Sequence, residues 1–220
     1  APAPGINVSC ERWTGSYWQW MTGTLSDDDG QYTLRGLPAG DYRVWFWDPN
    51  GQFISEYYDD QIDWNEATSV AVATATHVTG VDATLAKAGT ISGTVTGQAG
   101  APLADIAVTV YRQQGGQWWW QENAMTDENG HYTIGRLPGG LYHVYFTDWQ
   151  NDYLPEYYND ATEYDDAEIL MLPAEGALTG IDAELTKGAT ISGMLTGPDG
   201  QTPAGGVTVT AYMYTNHYWY

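Results

Sequence analysis

Four histidines, one cysteine and 28 carboxylates, set against 7 basic residues, are the groups from which this sequence could build a reaction centre. Group-transfer or hydrolytic chemistry needs a nucleophile, a base and an orienting group brought together. His77, His131, His143 and His217 share no common place: one hundred residues away from them stand Ala177, Gln31, Arg43 and Gln117. That spacing is the period of an internal repeat, so a histidine site built into every copy is excluded, and the four are expected at the surface. Glu56 and Glu156 do recur, each heading an "EYY" motif. A single carboxylate beside two tyrosines reads as a loop anchor rather than an acid catalyst. The chain is therefore expected to be no enzyme and to carry no organic cofactor. Cys10 cannot form a disulfide within the chain, and it falls where Val110 falls one period later, which reads as a small apolar strand residue.

The carboxylates raise a different possibility. Asp27, Asp28 and Asp29, and one period later Asp127, Glu128 and Asn129, offer hard oxygen ligands in tight turns, as calcium prefers. The glycine of each turn comes too early for an EF-hand loop and no glutamate closes it. Solvated turn acids are the plainer reading, with Asp27, Asp29, Asp127 and Asn129 as candidates for a structural calcium. A formal charge of −21 repels nucleic acid and anionic membrane surfaces, so neither is expected as a partner. No run approaches the ~18 apolar residues of a membrane span, and no membrane insertion is expected. The opening "APAPG" fits a mature end left by removal of a secretion signal.

The elements that must position these groups follow from the repeat, whose period organises the whole chain. "YTLRGLPAGDYRVWF" at Tyr32 matches "YTIGRLPGGLYHVYF" at Tyr132, and "EYYDD" at Glu56 matches "EYYND" at Glu156. "TGVDATLAKAGTISGTVTG" at Thr79 matches "TGIDAELTKGATISGMLTG" at Thr179, again without a gap. Alternating runs such as "TISGTVTG", "IAVTVYR" and "YHVYF" are rich in β-branched and aromatic residues, and "DDDG", "DENG", "LPAG" and "LPGG" mark turns between them. The fold class is all-β: tandem Ig-like or prealbumin-like antiparallel sandwiches with a 100-residue period, the first and last copies incomplete. Residues 1–88 read as a first repeat lacking its opening strand and residues 89–187 as a complete one. Residues 188–220 read as the opening strands of a third; either the sequence is a window from a longer array, or these strands complete a neighbouring subunit.

"TDENGHYTIGRLPGGLYHVYF", with "TISGTVTG" and "GAPLADIAVTVYR", resembles the carboxypeptidase regulatory-like superfamily. This prealbumin-like group also includes the Cna protein B-type repeats of bacterial surface proteins. The resemblance implies secreted or wall-attached bacterial stalks, adhesins and accessory modules, mostly without catalysis, and hence an extracellular or cell-surface location. Some similar actinobacterial proteins with the "E-Y-Y-N-D … G-I-D-A-x-L" pattern carry an alpha-amylase label, which implies a carbohydrate connection, although nothing here resembles an amylase barrel. Lysine–asparagine crosslinks occur in some Cna B-type domains. Here Lys87 and Lys187, the only lysines, come too late in the repeat to fit that pattern.

Aromatic residues carry the remaining signal. "WQW" at Trp18, "WWW" at Trp118 and "YWY" at Tyr218 occupy equivalent places when the third copy is given one extra residue. Simple alternation puts Trp18, Trp20, Trp118 and Trp120 on one face, expected to pack in a core or between domains. Trp119 and Trp219 then face outward. In "YRVWFWD", Tyr42, Val44 and Phe46 are expected to point inward and Arg43, Trp45 and Trp47 outward. Trp45, Trp47, Trp119, Trp149 and Trp219 are thus the candidates for an interface or for sugar stacking. Three functions are consistent with this pattern. The foremost is a non-catalytic extracellular structural protein assembling head to tail with itself through strand complementation and aromatic contacts. A carbohydrate-binding (glucan) accessory module of a secreted enzyme and a passive spacer of a surface adhesin are the alternatives.

Overall fold

A computed structural model describes residues 1–198, 200–202 and 205–212, and the backbone of 214–215 and 218–219. The chain divides into two compact units, Ala1–Lys187 and Gly188–Tyr220. The described residues form strands and two single-turn 3-10 helices, and no helix among them is long and apolar enough to cross a membrane.

In the first repeat, β1 (Asn7–Trp13), β2 (Trp18–Leu25), β3 (Gly40–Trp47), β4 (Glu56–Tyr57) and β5 (Val70–Val72) form one sheet. Its order is β2-β1-β3-β4, with β5 also on β3. The second repeat adds β6 (Gly89–Thr96), β7 (Ile106–Gln114), β8 (Gln117–Met125), β9 (His131–Leu137), β10 (Gly140–Asp148), β11 (Glu156–Tyr157) and β12 (Leu170–Leu172). It closes with β13 (Ala177–Leu178) and β14 (Ala183–Glu184). The sheet β11-β10-β7-β8 copies that of the first repeat, and β6, β9, β13 and β14 make an opposing sheet.

Alternation along β3 and β10 works as the sequence leads one to expect. Tyr42, Val44 and Phe46 are buried, as are Tyr142, Val144 and Phe146, and each trio anchors its own core. Cys10 is buried among the first trio, where burial raises its thiol pKa. In the second repeat β6 lies inside the opposing sheet, antiparallel to β9 on one side and parallel to β13 and β14 on the other. Ile91 and Val95 of β6 are fully buried and close the core over Tyr132, Ile134, Ile181 and Leu185. β13 and β14 are interrupted where the chain crosses Gly93. The Ile181 N–H reaches the Ser92 carbonyl at 3.1 Å there, and a Cβ on Gly93 would stand 2.1 Å from the Ile181 carbonyl oxygen. Only a residue without a side chain lets the two backbones approach so closely.

The unit 188–220 repeats this opening sequence in another setting. Ile191 and Met194 are 92% and 81% exposed, Val207, Val209 and Tyr212 are exposed too, and nothing lies within 4 Å of a Cβ placed on Gly193. Two short strands, β15 (Tyr214–Thr215) and β16 (Tyr218–Trp219), pair antiparallel near its end.

The contrast gives a direct check on the role of Gly93. Gly93→Ala should cost about 2–3 kcal/mol, the upper part of the range for overpacking a tight site, whereas Gly193→Ala should leave stability unchanged. Urea denaturation of the two variants measures both, and equal midpoints would contradict the close approach at Ile181.

Candidate functional site

A half-covered apolar surface of the first repeat lies where its opposing sheet should be. The counterparts of β9 and of β13–β14, residues 31–37 and 77–84, form no strands, and no described strand pairs with them. Tyr32, Leu34, Leu37, Val81, Ala83 and Leu85 pack against the core but are only half-buried. Their equivalents Tyr132, Ile134, Leu137, Ile181, Ala183 and Leu185 are buried beneath β6. The two flanking segments nonetheless keep their tie. Tyr32 donates its hydroxyl proton to the Val81 carbonyl, as Tyr132 donates to Ile181 at 2.6 Å. Burial raises the Tyr32 phenol to about 12, so the tie stays protonated at neutral pH. A strand-wide place is thus framed on both sides.

Aromatic side chains gather on the opposite, outer face, and a bulge decides which ones. Val110 pairs with Glu122 but Tyr111 pairs with Trp120, so Gln121 is the extra residue and the alternation of β8 inverts there. The same bulge sits between Cys10 and Glu11 opposite β2. Trp18, Trp20, Trp118 and Trp120 therefore lie on the outer face, which corrects the core alternative of that expectation and not the inter-domain one. Trp20 is 63% and Trp120 59% exposed. Trp18 and Trp118 are half-buried because each roofs a residue beneath it.

Those two residues differ in charge. Arg43, buried on the outer face, donates Nε–H to the Glu11 carboxylate at 2.5 Å, and its guanidinium lies 4.8 Å from the Trp18 ring and 5.0 Å from Trp64. His143 stacks on Trp118 with ring centroids 3.7 Å apart, edged by Tyr157 and Tyr164. His143 is thus buried rather than at the surface, because the aromatic roof displaces water from the outer face. Burial lowers its pKa and favours the neutral ring. His77 and His131 are exposed as expected, and His217 lies outside the described residues. Sequence reading missed Trp64 and Tyr164, although an aromatic recurring at one period in "DWNE" and "TEYDD" was the available signal.

The outward candidates do not converge on one platform. Trp45 tilts against Tyr57 at 4.4 Å on the first outer face, and Trp47 is 39% exposed farther along the same strand. Trp119 is opposite Arg112, on the core side of its sheet but past the end of the core, and is 60% exposed. Trp149 projects from the loop after β10, 68% exposed, and the Trp219 side chain lies outside the described residues. An open depression of about 280 Å³ lies elsewhere, lined by Trp13, Trp18, Asp41 and Ser69.

The turn acids are engaged by backbone. Asp27 Oδ1 accepts N–H groups from Asp29 and Gln31 at 3.0 and 2.8 Å, and Asp127 Oδ1 accepts those of Asn129 and His131 at 2.9 Å each. These bonds, His131 first, lower the pKa of Asp127. Among the described residues no group of three or more acidic, histidine or cysteine side chains is placed to hold a metal ion.

Residues 90–162 match the carboxypeptidase regulatory-like domain, covering β6 to the loop after β11. None of the curated proteins matches the chain. Among solved structures, a streptococcal ancillary pilin is similar at 13% identity and a TM-score of 0.38, over 86% of this chain and 59% of that one. The Bacillus anthracis TIE protein is similar at 18% and 0.37, over 84% of this chain and 31% of its own. The minor pilin of Streptococcus agalactiae follows at 16% and 0.38, over 87% of both chains. The chain thus spans 59% and 31% of the first two structures.

Glu56 and Glu156 supply a titration test of the site's packing. In each an Oε1 is buried without a hydrogen-bond partner, and burial, aided by Asp60 or Asp160, pushes the carboxyl up to about 7. Unfolded glutamate titrates near ~4.3. Between those values the folded chain holds protons that the unfolded chain has released, so stability falls as pH rises from about 4.5 to about 7. A Glu56→Gln, Glu156→Gln variant should melt higher than the parent at pH ~8 and with it at pH ~4. Parallel melting curves across that range would exclude buried carboxyls as the cause.

Proposed function

We propose that this chain, whose second repeat carries a carboxypeptidase regulatory-like domain, is a non-catalytic extracellular structural protein that joins head to tail with copies of itself. The link is a strand: residues 189–197 of one copy enter the first repeat of the next, between residues 31–37 and 77–84. The observation that carries this reading is the matched pair of surfaces. One repeat leaves Tyr32, Leu34, Val81 and Leu85 half-covered, and a segment of the same chain leaves Ile191, Met194 and Leu195 in solvent.

The fit is specific in register. Ile191 and Leu195 stand one period from Ile91 and Val95, and Gly193 stands one period from Gly93. Tyr32 would pass beneath Gly193 to Val81, as Tyr132 reaches Ile181 in the second repeat. Burying two aliphatic side chains contributes roughly 3–6 kcal/mol. Association costs about 4–15 kcal/mol of lost freedom, so ladder hydrogen bonds on both edges must supply the balance. Docking uses only residues 189–197. The segment 206–212, which duplicates β1, stays outside the recipient fold.

A charge of −21 on every copy opposes assembly through long-range repulsion, which salt screens. Sedimentation velocity and electron microscopy at neutral pH should therefore reveal head-to-tail polymers that lengthen with added salt. Gly193→Val should abolish them without changing the melting of the monomer, and excess peptide of residues 188–198 should cap them. Monomers at every salt concentration, or polymers indifferent to both treatments, would sink the proposal.

A second reading, a saccharide-binding module, starts from the open depression lined by Trp13, Trp18, Asp41 and Ser69. Indole faces can stack on the C–H face of a sugar ring while Asp41 and Ser69 bond its hydroxyls, and the acidic surface favours a neutral glycan. Affinity electrophoresis in glucan gels separates this site from the earlier candidates. Retardation should be lost in Trp13→Ala, Trp18→Ala and kept in Trp45→Ala, Trp47→Ala, Trp119→Ala. No retardation of the parent by any neutral glucan removes the reading.

A further inference from the structure

The join between the first two repeats is built from few parts, and two of them, the carboxylate-held tip loop and its lysine bridge, recur at the far end of the second. Asp48, buried at the end of the long strand of the first repeat, folds the tip loop 48–53 around its carboxylate. Oδ1 accepts the Asn50 N–H at 2.8 Å, and Oδ2 accepts those of Gln52 and Phe53 at 2.6 and 3.0 Å. Gly51 turns the loop at φ +69°. Against it lies Arg136 of the second repeat, itself at φ +59°, donating Nη2–H to the Pro49 carbonyl at 3.1 Å. A Cβ on Gly51 would stand 3.0 Å from Arg136 Nε and 3.2 Å from its Cγ. A side chain at the apex would crowd the arginine and make it shift by a few tenths of an ångström. No spacer separates the repeats: Lys87 bridges Phe53, the Ala88 N–H donates to the Gln52 carbonyl at 2.9 Å, and β6 starts at Gly89.

The second repeat carries the same loop with the same anchors. Asp148 Oδ1 accepts the Gln150 N–H at 2.8 Å, and Oδ2 accepts those of Asp152 and Tyr153 at 2.8 and 3.1 Å. Lys187 bridges Tyr153 as Lys87 bridges Phe53. Asn151 takes the apex at φ +60°, and the loop is uncovered, with Asn151 and Trp149 both exposed. An arginine in the pose of Arg136 would be crowded by the Asn151 Cβ. The residue that corresponds to Arg136 in the first repeat is Gly36, at φ +76°, with nothing within 4 Å of a Cβ placed there. Side-chain volume has changed sides: glycine faces arginine in one join, and asparagine would face glycine in the other.

We propose that the tip loop 148–153 is the docking site for the first repeat of a second copy, with Asn151 and Trp149 seated over Gly36. This join would repeat the one within the chain with its large and small partners exchanged. The inference rests on the strand-complementation reading. A donor strand leaving at Gly188 would set the incoming repeat against this loop as β6 sets the second repeat against the loop at Gly51.

A two-residue exchange tests the join. Gly36→Arg crowds Asn151 and should weaken polymerisation about tenfold or more, the equivalent of an overpacked contact. Adding Asn151→Gly recreates the glycine–arginine pair and should restore parental polymer length. Melting of Gly36→Arg in the non-assembling Gly193→Val background reads out any local damage to the fold. Polymers that Gly193→Val still abolishes but Gly36→Arg leaves unchanged would overturn the docking site and leave strand complementation standing. Failure of Asn151→Gly to rescue an otherwise folded Gly36→Arg would also overturn it. Absence of polymers in the parent chain, or their survival in Gly193→Val, would overturn the reading beneath it.

Discussion

A sandwich of this type can close only if one strand lies between two segments that never pair with each other, and in the second repeat that strand is β6. Its two edges collect β9 on one side and β13 with β14 on the other. Its inward residues Ile91 and Val95 cap a core contributed by both sheets. Gly93 is where this arrangement is tightest, since Ile181 crosses it at a distance no side chain tolerates. In the first repeat the same flanking residues are present but only half-buried, and the segments bearing them form no strand. Strand formation there is a consequence of tertiary partnership rather than of local propensity. "YTLRGL" and "YTIGRL" are nearly the same words with different outcomes.

The tip loops depend on a different device, a buried carboxylate that replaces the missing backbone partners of a sharp reversal. Asp48 and Asp148 each accept three N–H groups, which satisfies both oxygens and offsets the cost of burying them. Because the loop is held from within, its apex can vary between glycine and asparagine without altering the fold. That freedom lets the surface at a join change while the strands behind it stay fixed.

The period, the strands of the core and the inward set of β3 and β10 were legible because alternation and a gapless repeat determine them. The sides of the tryptophans were not. Simple alternation carried Trp118 and Trp120 inward, and the bulge at Gln121 sends them outward. A bulge leaves no mark in composition, and here both repeats carry it at the same place, so comparison of the copies could not expose it. His143 was misread for a related reason. An outward strand residue is normally wet, but Trp118, Tyr157 and Tyr164 converge on it from three other segments. The Tyr32–Val81 tie had no signal in the sequence either, because it joins two segments 49 residues apart.

Differences between the copies are informative where they come in pairs. Arg43 and Glu11 are cross-strand neighbours, and one period later both positions have changed together, to His143 and Tyr111. A buried guanidinium without its half-buried carboxylate partner would be costly, so Glu11 is not readily replaced while Arg43 stays. Gly51 and Arg136 are likewise in contact, and the positions one period from each, Asn151 and Gly36, have also exchanged large for small. In the first case the structure displays both versions of the contact within single repeats. In the second it displays one version across a join. Crowding at Gly51 gives the coupling a physical basis: a side chain there would press on the arginine opposite, which would have to shift by a few tenths of an ångström. The same constraint, applied to the copy with asparagine, favours a small residue opposite, and Gly36, with nothing within 4 Å of a Cβ placed there, is such a residue.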